Sequence, residues 1–260
     1  MIPCRASFIE TQLANECIVR TPKTLDWLAN ICLFFRVPFP FEICRIQDSN
    51  IVVAYGTQAT AKRILTSALA SVSKWGATHI DEIGRLIKLR TDRQSTSFVR
   101  RSLECLVEFS WLDQTHGWFW FGPKADSRLL RRTKRILSAC RQIDVKGLTK
   151  LIELDVRMKG FCLPEHVLLE MFSRYEWLCV HGDQICVRKQ FDLNGALRKS
   201  DRLFLRVLSK FGPRLSLYDF RERCRAAGMK QSSFYSHVAV SLILKKYDNG
   251  EFGLLLSEES

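Results

Sequence analysis

Several things are missing from this chain, and each absence removes a class of function. No apolar run approaches the roughly 18 to 20 residues that cross a bilayer; the longest, Trp27 to Phe35, reads as a buried helix. The first residues lack the basic-then-apolar order of a signal peptide. Ten cysteines include no Cys-x-x-Cys pair, and the five histidines form no His-x-His or His-x-x-x-His pair. Structural zinc sites normally show such close ligand pairs, so the cysteines are expected to be reduced core residues of a cytoplasmic protein. There is no Gly-x-x-x-x-Gly-Lys-Ser/Thr loop, no His-Glu-x-x-His and no Gly-x-Ser-x-Gly. Glu-x-Lys is absent, and the single Asp-x-Lys, Asp144 and Lys146, reads as a helix cap followed by a surface lysine. The expectation is a non-enzymatic protein with no cofactor, no metal and no membrane partner.

What the chain does have is one pattern three times. Trp111 to Phe121, Trp177 to Val187 and Leu244 to Leu254 are each apolar residues, a short polar turn with glycine, then apolar residues. This is a β-hairpin signal, strongest at Asn249-Gly250. The spacing is 66 residues from Trp111 to Trp177 and 68 from Trp177 to Lys245. Each hairpin follows helix-like segments. The predicted fold is mostly α with small β-hairpins, an α+β chain of tandem winged helix-turn-helix modules after a small N-terminal α/β cap. The boundaries are 1–57 for the cap or docking region, 58–122 for module A, 128–190 for module B and 200–256 for module C.

Within the cap, the pattern predicts a helix over Ser7–Cys17, another opened by Thr21-Pro22 and running to about Phe35, and strands at Phe41–Arg45 and Ile51–Tyr55. In module A the helices are expected at Ala59–Trp75, Ile80–Leu89 and Ser95–Phe109. Gly122-Pro123 opens a linker. Module B has helices at Arg128–Arg141, at Val145 to about Arg157 behind an Asp144 cap, and from Pro164 to Tyr175. Module C has Asp201–Lys210, then Leu217–Ala227 capped by Ser216 and closed by Gly228, then Ser232–Val240.

The net charge of +13 is uneven. Residues 1–60 are neutral, 61–127 carry +3, 128–199 carry +7 and 200–260 carry +3. A basic surplus confined to the repeats favours a polyanionic partner, nucleic acid first.

In a helix-turn-helix the start of the third helix meets base edges in the major groove. Thr96-Ser97-Phe98 in module A aligns there with Ser232-Ser233-Phe234 in module C, with Phe98 and Phe234 as core anchors. The candidate contacts are therefore Thr96, Ser97, Arg100 and Arg101 in module A, and Lys230, Gln231, Ser232, Ser233, Ser236 and His237 in module C. Glu104 stands at helical spacing from Arg100 and is a competing partner for it. Arg128, Arg131, Arg132 and Arg135 fall on one helical side of module B and are candidates for phosphate contact. Lys245 and Lys246 are candidates on the last hairpin. The third helix of module B carries Glu165 and Glu170, so its first helix is the expected contact. Trp118, Phe119 and Trp120 are expected to be core rather than base-stacking surfaces.

Residues 200–255, with Gly212-Pro213, the Ser216 cap, Gly228-Met229, Ser232-Ser233-Phe234-Tyr235 and the closing hairpin, resemble winged-helix repeats of the HARE-HTH type. Those occur in the RNA polymerase delta subunit and as accessory DNA-binding modules of bacterial proteins. Residues 77–122 are similar to helix-turn-helix segments of the last region of sigma factors. The resemblance implies duplex DNA as partner, in transcription regulation or as a DNA-recognition subunit, and a nucleoid-associated location in a bacterium. The alternative is a protein–protein scaffold subunit of a larger nucleic-acid machine, docking through the N-terminal region or module B.

Overall fold

The computed structural model describes residues 4–6, 11, 24–46, 49–89, 92–123 and 126–254. The helix expected over Ser7–Cys17 and the Thr21-Pro22 opening of the next helix fall largely or wholly outside the described residues. The chain has a mixed α/β fold with, among the described residues, four small antiparallel sheets of three strands each. It divides into two compact units, Met1–Ala125 and Asp126–Ser260.

The first unit opens with β1 (Cys4–Arg5), α1 (Thr24–Phe34), β2 (Phe41–Ile46) and β3 (Ser49–Ala54). β3 lies between β1 and β2, with Cys44 opposite Ile51 and Ile43 opposite Val52. The chain continues as α2 (Gln58–Trp75), β4 (Thr78–His79), α3 (Ile80–Leu86), α4 (Arg93–Glu104), β5 (Ser110–Asp113) and β6 (Trp118–Trp120). α2 buries Ala61, Ile64, Leu65, Ala68 and Val72, the three-and-four spacing of one helical face. That face packs in one cluster with Cys44, Ile51 and Val53 of the N-terminal sheet and with Ile83, Val99, Leu103 and Phe119. The N-terminal sheet and the first repeat thus share a single core. Phe119 and Trp120 are fully buried, as expected of core aromatics, and Trp118 packs edge-on against His79.

The second unit runs α5 (Arg128–Cys140), β7 (Gln142–Asp144), α6 (Val145–Glu153), a 3-10 turn (Val156–Met158), α7 (Glu165–Ser173), β8 (Leu178–His181) and β9 (Gln184–Val187). It ends with α8 (Lys199–Phe211), β10 (Arg214–Leu215), α9 (Leu217–Ala226), α10 (Gln231–Ala239), β11 (Leu244–Lys246) and β12 (Phe252–Leu254). The core of this last repeat is four phenylalanines, Phe204, Phe220, Phe234 and Phe252, with Val207, Leu208 and Cys224.

The same order of elements occurs three times: helix, short strand, helix, helix, hairpin. In every copy the short strand pairs with the last strand, giving orders β4-β6-β5, β7-β9-β8 and β10-β12-β11. These short strands leave no signal in the sequence, because two or three residues are too few to show an alternation. Each short strand leads to a side-chain cap at the same place. His79 Nδ1 accepts from the Asp81 N–H at 3.1 Å, Asp144 Oδ1 from the Gly147 N–H at 2.7 Å, and Ser216 Oγ from the Asp219 N–H at 3.1 Å. Each hairpin turns on a glycine at positive φ, Gly117 at 82°, Gly182 at 60° and Gly250 at 82°, where a side chain would be strained.

Candidate nucleic-acid interface

The polar faces of α4 and α10 follow from how the two helices are held down. α4 begins behind Asp92, whose Oδ1 accepts from the Ser95 N–H at 2.7 Å. Val99, Ser102 and Leu103 are buried, with Phe98 packed against the core, which turns Thr96 and Arg101 outward as exposed residues. Ser97 is half-buried. Arg100 is tied back: its Nε donates to Glu104 Oε1 at 3.1 Å and its guanidinium lies 4.8 Å from the centre of the Trp111 ring. Of the two arginines, Arg101 is the one that makes no ion pair among the described residues.

On α10 the buried anchor is Phe234, fixed against Phe204 and Phe220. This leaves Lys230, Gln231, Ser232 and Ser236 exposed, with Ser233 and His237 half-buried. Two hydroxyls are engaged by the helix backbone: Ser233 Oγ donates to the Lys230 carbonyl and Ser236 Oγ to the Ser233 carbonyl, both at 2.9 Å. On β11, Lys246 is exposed and Lys245 sits over the Tyr247 ring, which Arg214 also covers at 4.1 Å. β12 passes so close that a Cβ on Gly253 would come 2.6 Å from the Pro213 carbonyl oxygen, so only glycine lets this strand lie against β10.

The arginines of α5 behave differently. Arg128 and Arg131 reach the surface; Arg131 pairs with Asp126 at 2.9 Å and Arg128 donates to the Arg157 carbonyl at 3.0 Å. Arg132 and Arg135, expected on the same phosphate-contacting side, are instead buried, only 8% and 6% exposed. Arg132 pairs with Asp155 and Arg135 with Asp201, each at 2.7 Å. Helical spacing placed them on one side rightly, but that side faces the following 3-10 turn and α8 rather than open solvent. Burial lowers the pKa of Arg132, Asp155 opposes this, and nearby Arg135, Arg198 and Arg157 add to it. Arg198, the residue before α8, is lowered in the same way, by burial first and Arg135 next.

Arg157 and Arg198 stand beside the α5 arginines and were missed in the sequence. They lie 22 and 63 residues from Arg135, and no local pattern links them. No helix among the described residues is long and apolar enough to cross a membrane. No family model matches the chain, and neither the curated proteins nor the solved structures compared with it contain a match.

Proposed function

We propose that the three repeats are winged helices and that the chain is a non-enzymatic duplex DNA-binding protein, a transcription regulator or DNA-recognition subunit. The observation that carries this reading is the outward face at the start of α4 and α10. Thr96 and Arg101 in one repeat, and Lys230, Gln231 and Ser232 in another, are exposed at the position where such helices enter a major groove. Phosphates take the lysines and hydroxyls; Arg101 and Gln231 are suited to guanine and adenine edges. Lys246, with Arg128 and Arg131, would add backbone contacts.

The test is fluorescence anisotropy of the full chain with random duplex, single-stranded DNA and RNA across a salt series. Duplex is expected to bind best, with affinity falling steeply as salt rises. The double variant Arg101→Ala, Lys230→Ala is expected to weaken binding and to reduce the salt slope by about one per lost phosphate contact. Absence of duplex binding tighter than about 10⁻⁴ M at low salt, the weak end of ordinary non-specific affinity, would overturn the reading.

A docking role is favoured by one separate feature. Leu33, Phe34, Phe35 and Val37, at the end of α1 and just after it, are all exposed. Such a contiguous apolar patch marks a protein contact more often than a nucleic-acid one. Loss of a co-purifying protein from Phe34→Ser, Phe35→Ser, with DNA affinity unchanged, would assign that patch to a partner.

A further inference from the structure

Six guanidinium groups converge on one cleft of about 600 Å³ within the second unit: Arg128, Arg131, Arg132 and Arg135 from α5, Arg157 from the 3-10 turn, and Arg198. Three carboxylates answer them, Asp126, Asp155 and Asp201, each engaged by a different arginine. Arg128, Arg157 and Arg198 make no ion pair among the described residues. An excess of three positive charges therefore remains around one concave surface. The Nε–H of Arg135, one of the residues lining it, is buried with no hydrogen-bond partner. Like charges drawn together under partial burial are costly without an anion between them. Arginine is also the side chain whose planar fork best fits a phosphate.

A second cleft, of about 480 Å³, shares Arg132, Arg157 and Arg198 with the first. Besides Asp155 and Lys246, its other walls are largely apolar and come from two repeats: Leu151 and Leu154 from one side, and Val238, Val240, Leu244 and Phe252 from the other. Leu154 is 78% exposed and Val240 53%. The two clefts thus adjoin at these three arginines, an arginine-lined one beside a largely apolar one, each in the size range of small-molecule sites.

We propose that this joined cleft binds a small molecule carrying two or more phosphates on an apolar or planar body, the chemistry of a nucleoside polyphosphate. The phosphates occupy the arginine half, and the body covers Leu154 and Val240. A free molecule fits better than a duplex. A rod of stacked base pairs presents its phosphates on a convex ridge and cannot reach Arg132 and Arg135, whereas an oligophosphate tail can enter. The walls come from the second and third repeats, so an occupant touches both. The site does not depend on the reading of α4 and α10.

The experiment is isothermal titration calorimetry of the full chain with sodium tripolyphosphate and with a nucleoside triphosphate. Both are expected to bind, the nucleotide about tenfold more tightly, a difference of about 1.4 kcal/mol. Arg157→Ala with Arg198→Ala should weaken both ligands by about tenfold or more; neither residue belongs to a buried ion pair, and unchanged urea unfolding checks the fold. Leu154→Ser should weaken only the nucleotide, and Arg101→Ala should weaken neither. The proposal fails if neither ligand binds near 1 mM, if the double arginine variant binds as before, or if sulfate at equal ionic strength displaces tripolyphosphate as well as the nucleotide does. It also fails if a short duplex competes with tripolyphosphate more effectively than the nucleotide, which would make the cleft a DNA-phosphate contact.

Discussion

The second and third repeats have the same order of elements and the same cap position, yet they dispose of positive charge in opposite ways. The segment holding the second repeat carries +7 and the one holding the third +3. In the second, Arg132 and Arg135 turn inward onto Asp155 and Asp201. In the third, Lys230 and Lys246 point outward, with Gln231 and Ser232 beside them. Net charge along a sequence therefore does not locate a binding surface. What matters is where a cation finds its counter-charge, and in the second repeat it finds it in the interior. The second repeat consequently lines a cleft, to which the third also gives walls, whereas the third presents its polar helix end outward.

The strongest way to break this comparison is to remove an interior counter-charge. Asp201 is 1% exposed, pairs with Arg135 at 2.7 Å, and accepts from Ser241 Oγ at 2.9 Å. Asp201→Ala leaves a buried guanidinium unpaired, which typically costs about 3–5 kcal/mol. Urea unfolding of the full chain is expected to show that loss. Asp126→Ala, which removes a partner from exposed Arg131, should cost less than about 1 kcal/mol. Equal effects would mean that the inward and outward arginines are not distinct.

The shared caps test the similarity instead of the difference. Asp144→Ala and Ser216→Ala each remove the acceptor at the start of a repeat's second helix and should cost about 1 kcal/mol apiece. A difference much larger than that between the two would show that the repeats are not equivalent even where their geometry agrees.

Buried thiols give a matched pair of about the same size. Burial pushes both Cys140 of α5 and Cys224 of α9 from 9.0 up to about 12. Below pH 9 the thiol is neutral in both folded and unfolded chains, and stability is independent of it. Between pH 9 and 12 the unfolded thiol ionises first, so stability falls as pH rises. Near pH 10 the loss is about 1 kcal/mol per thiol. Urea unfolding at pH 8 and pH 10 should show it, and Cys140→Ala and Cys224→Ala should each remove an equal share of the loss.

Much of the fold was legible because each repeat states its elements locally. The Asp144 and Ser216 caps, the Asn249-Gly250 turn and the apolar face of α2 are short-range signals, and the elements lie where they point. Helix ends are less legible: the pattern predicts Ile80–Leu89 where the helix spans Ile80–Leu86, since fraying ends carry no periodic signal. β4 and β10 were invisible because their identity lies in pairing with a strand about 40 residues away. The arginine cleft was half legible. The α5 spacing showed that four arginines share a side, but Asp155, Arg157, Arg198 and Asp201 meet them only through the folded chain.

The smallest expected effect separates the two arginines of α4. Arg100 and Glu104 are both half-exposed and pair across one helical turn, so Glu104→Gln should cost only about 0.3–0.5 kcal/mol of stability. Its effect on DNA binding should have the opposite sign. The change removes a carboxylate from the face that carries Arg101 and releases Arg100 from its partner, so duplex affinity should rise and the salt slope steepen by about one. A drop in affinity would mean that the Arg100–Glu104 pair positions the helix rather than competing with phosphate for the cation. An unchanged affinity, with Arg101→Ala still weakening binding, would place Arg100 off the contact and leave Arg101 as the basic reader of the first repeat. Because the stability change is small in every case, an anisotropy titration at several salt concentrations reads the electrostatic role of Glu104 without interference from unfolding.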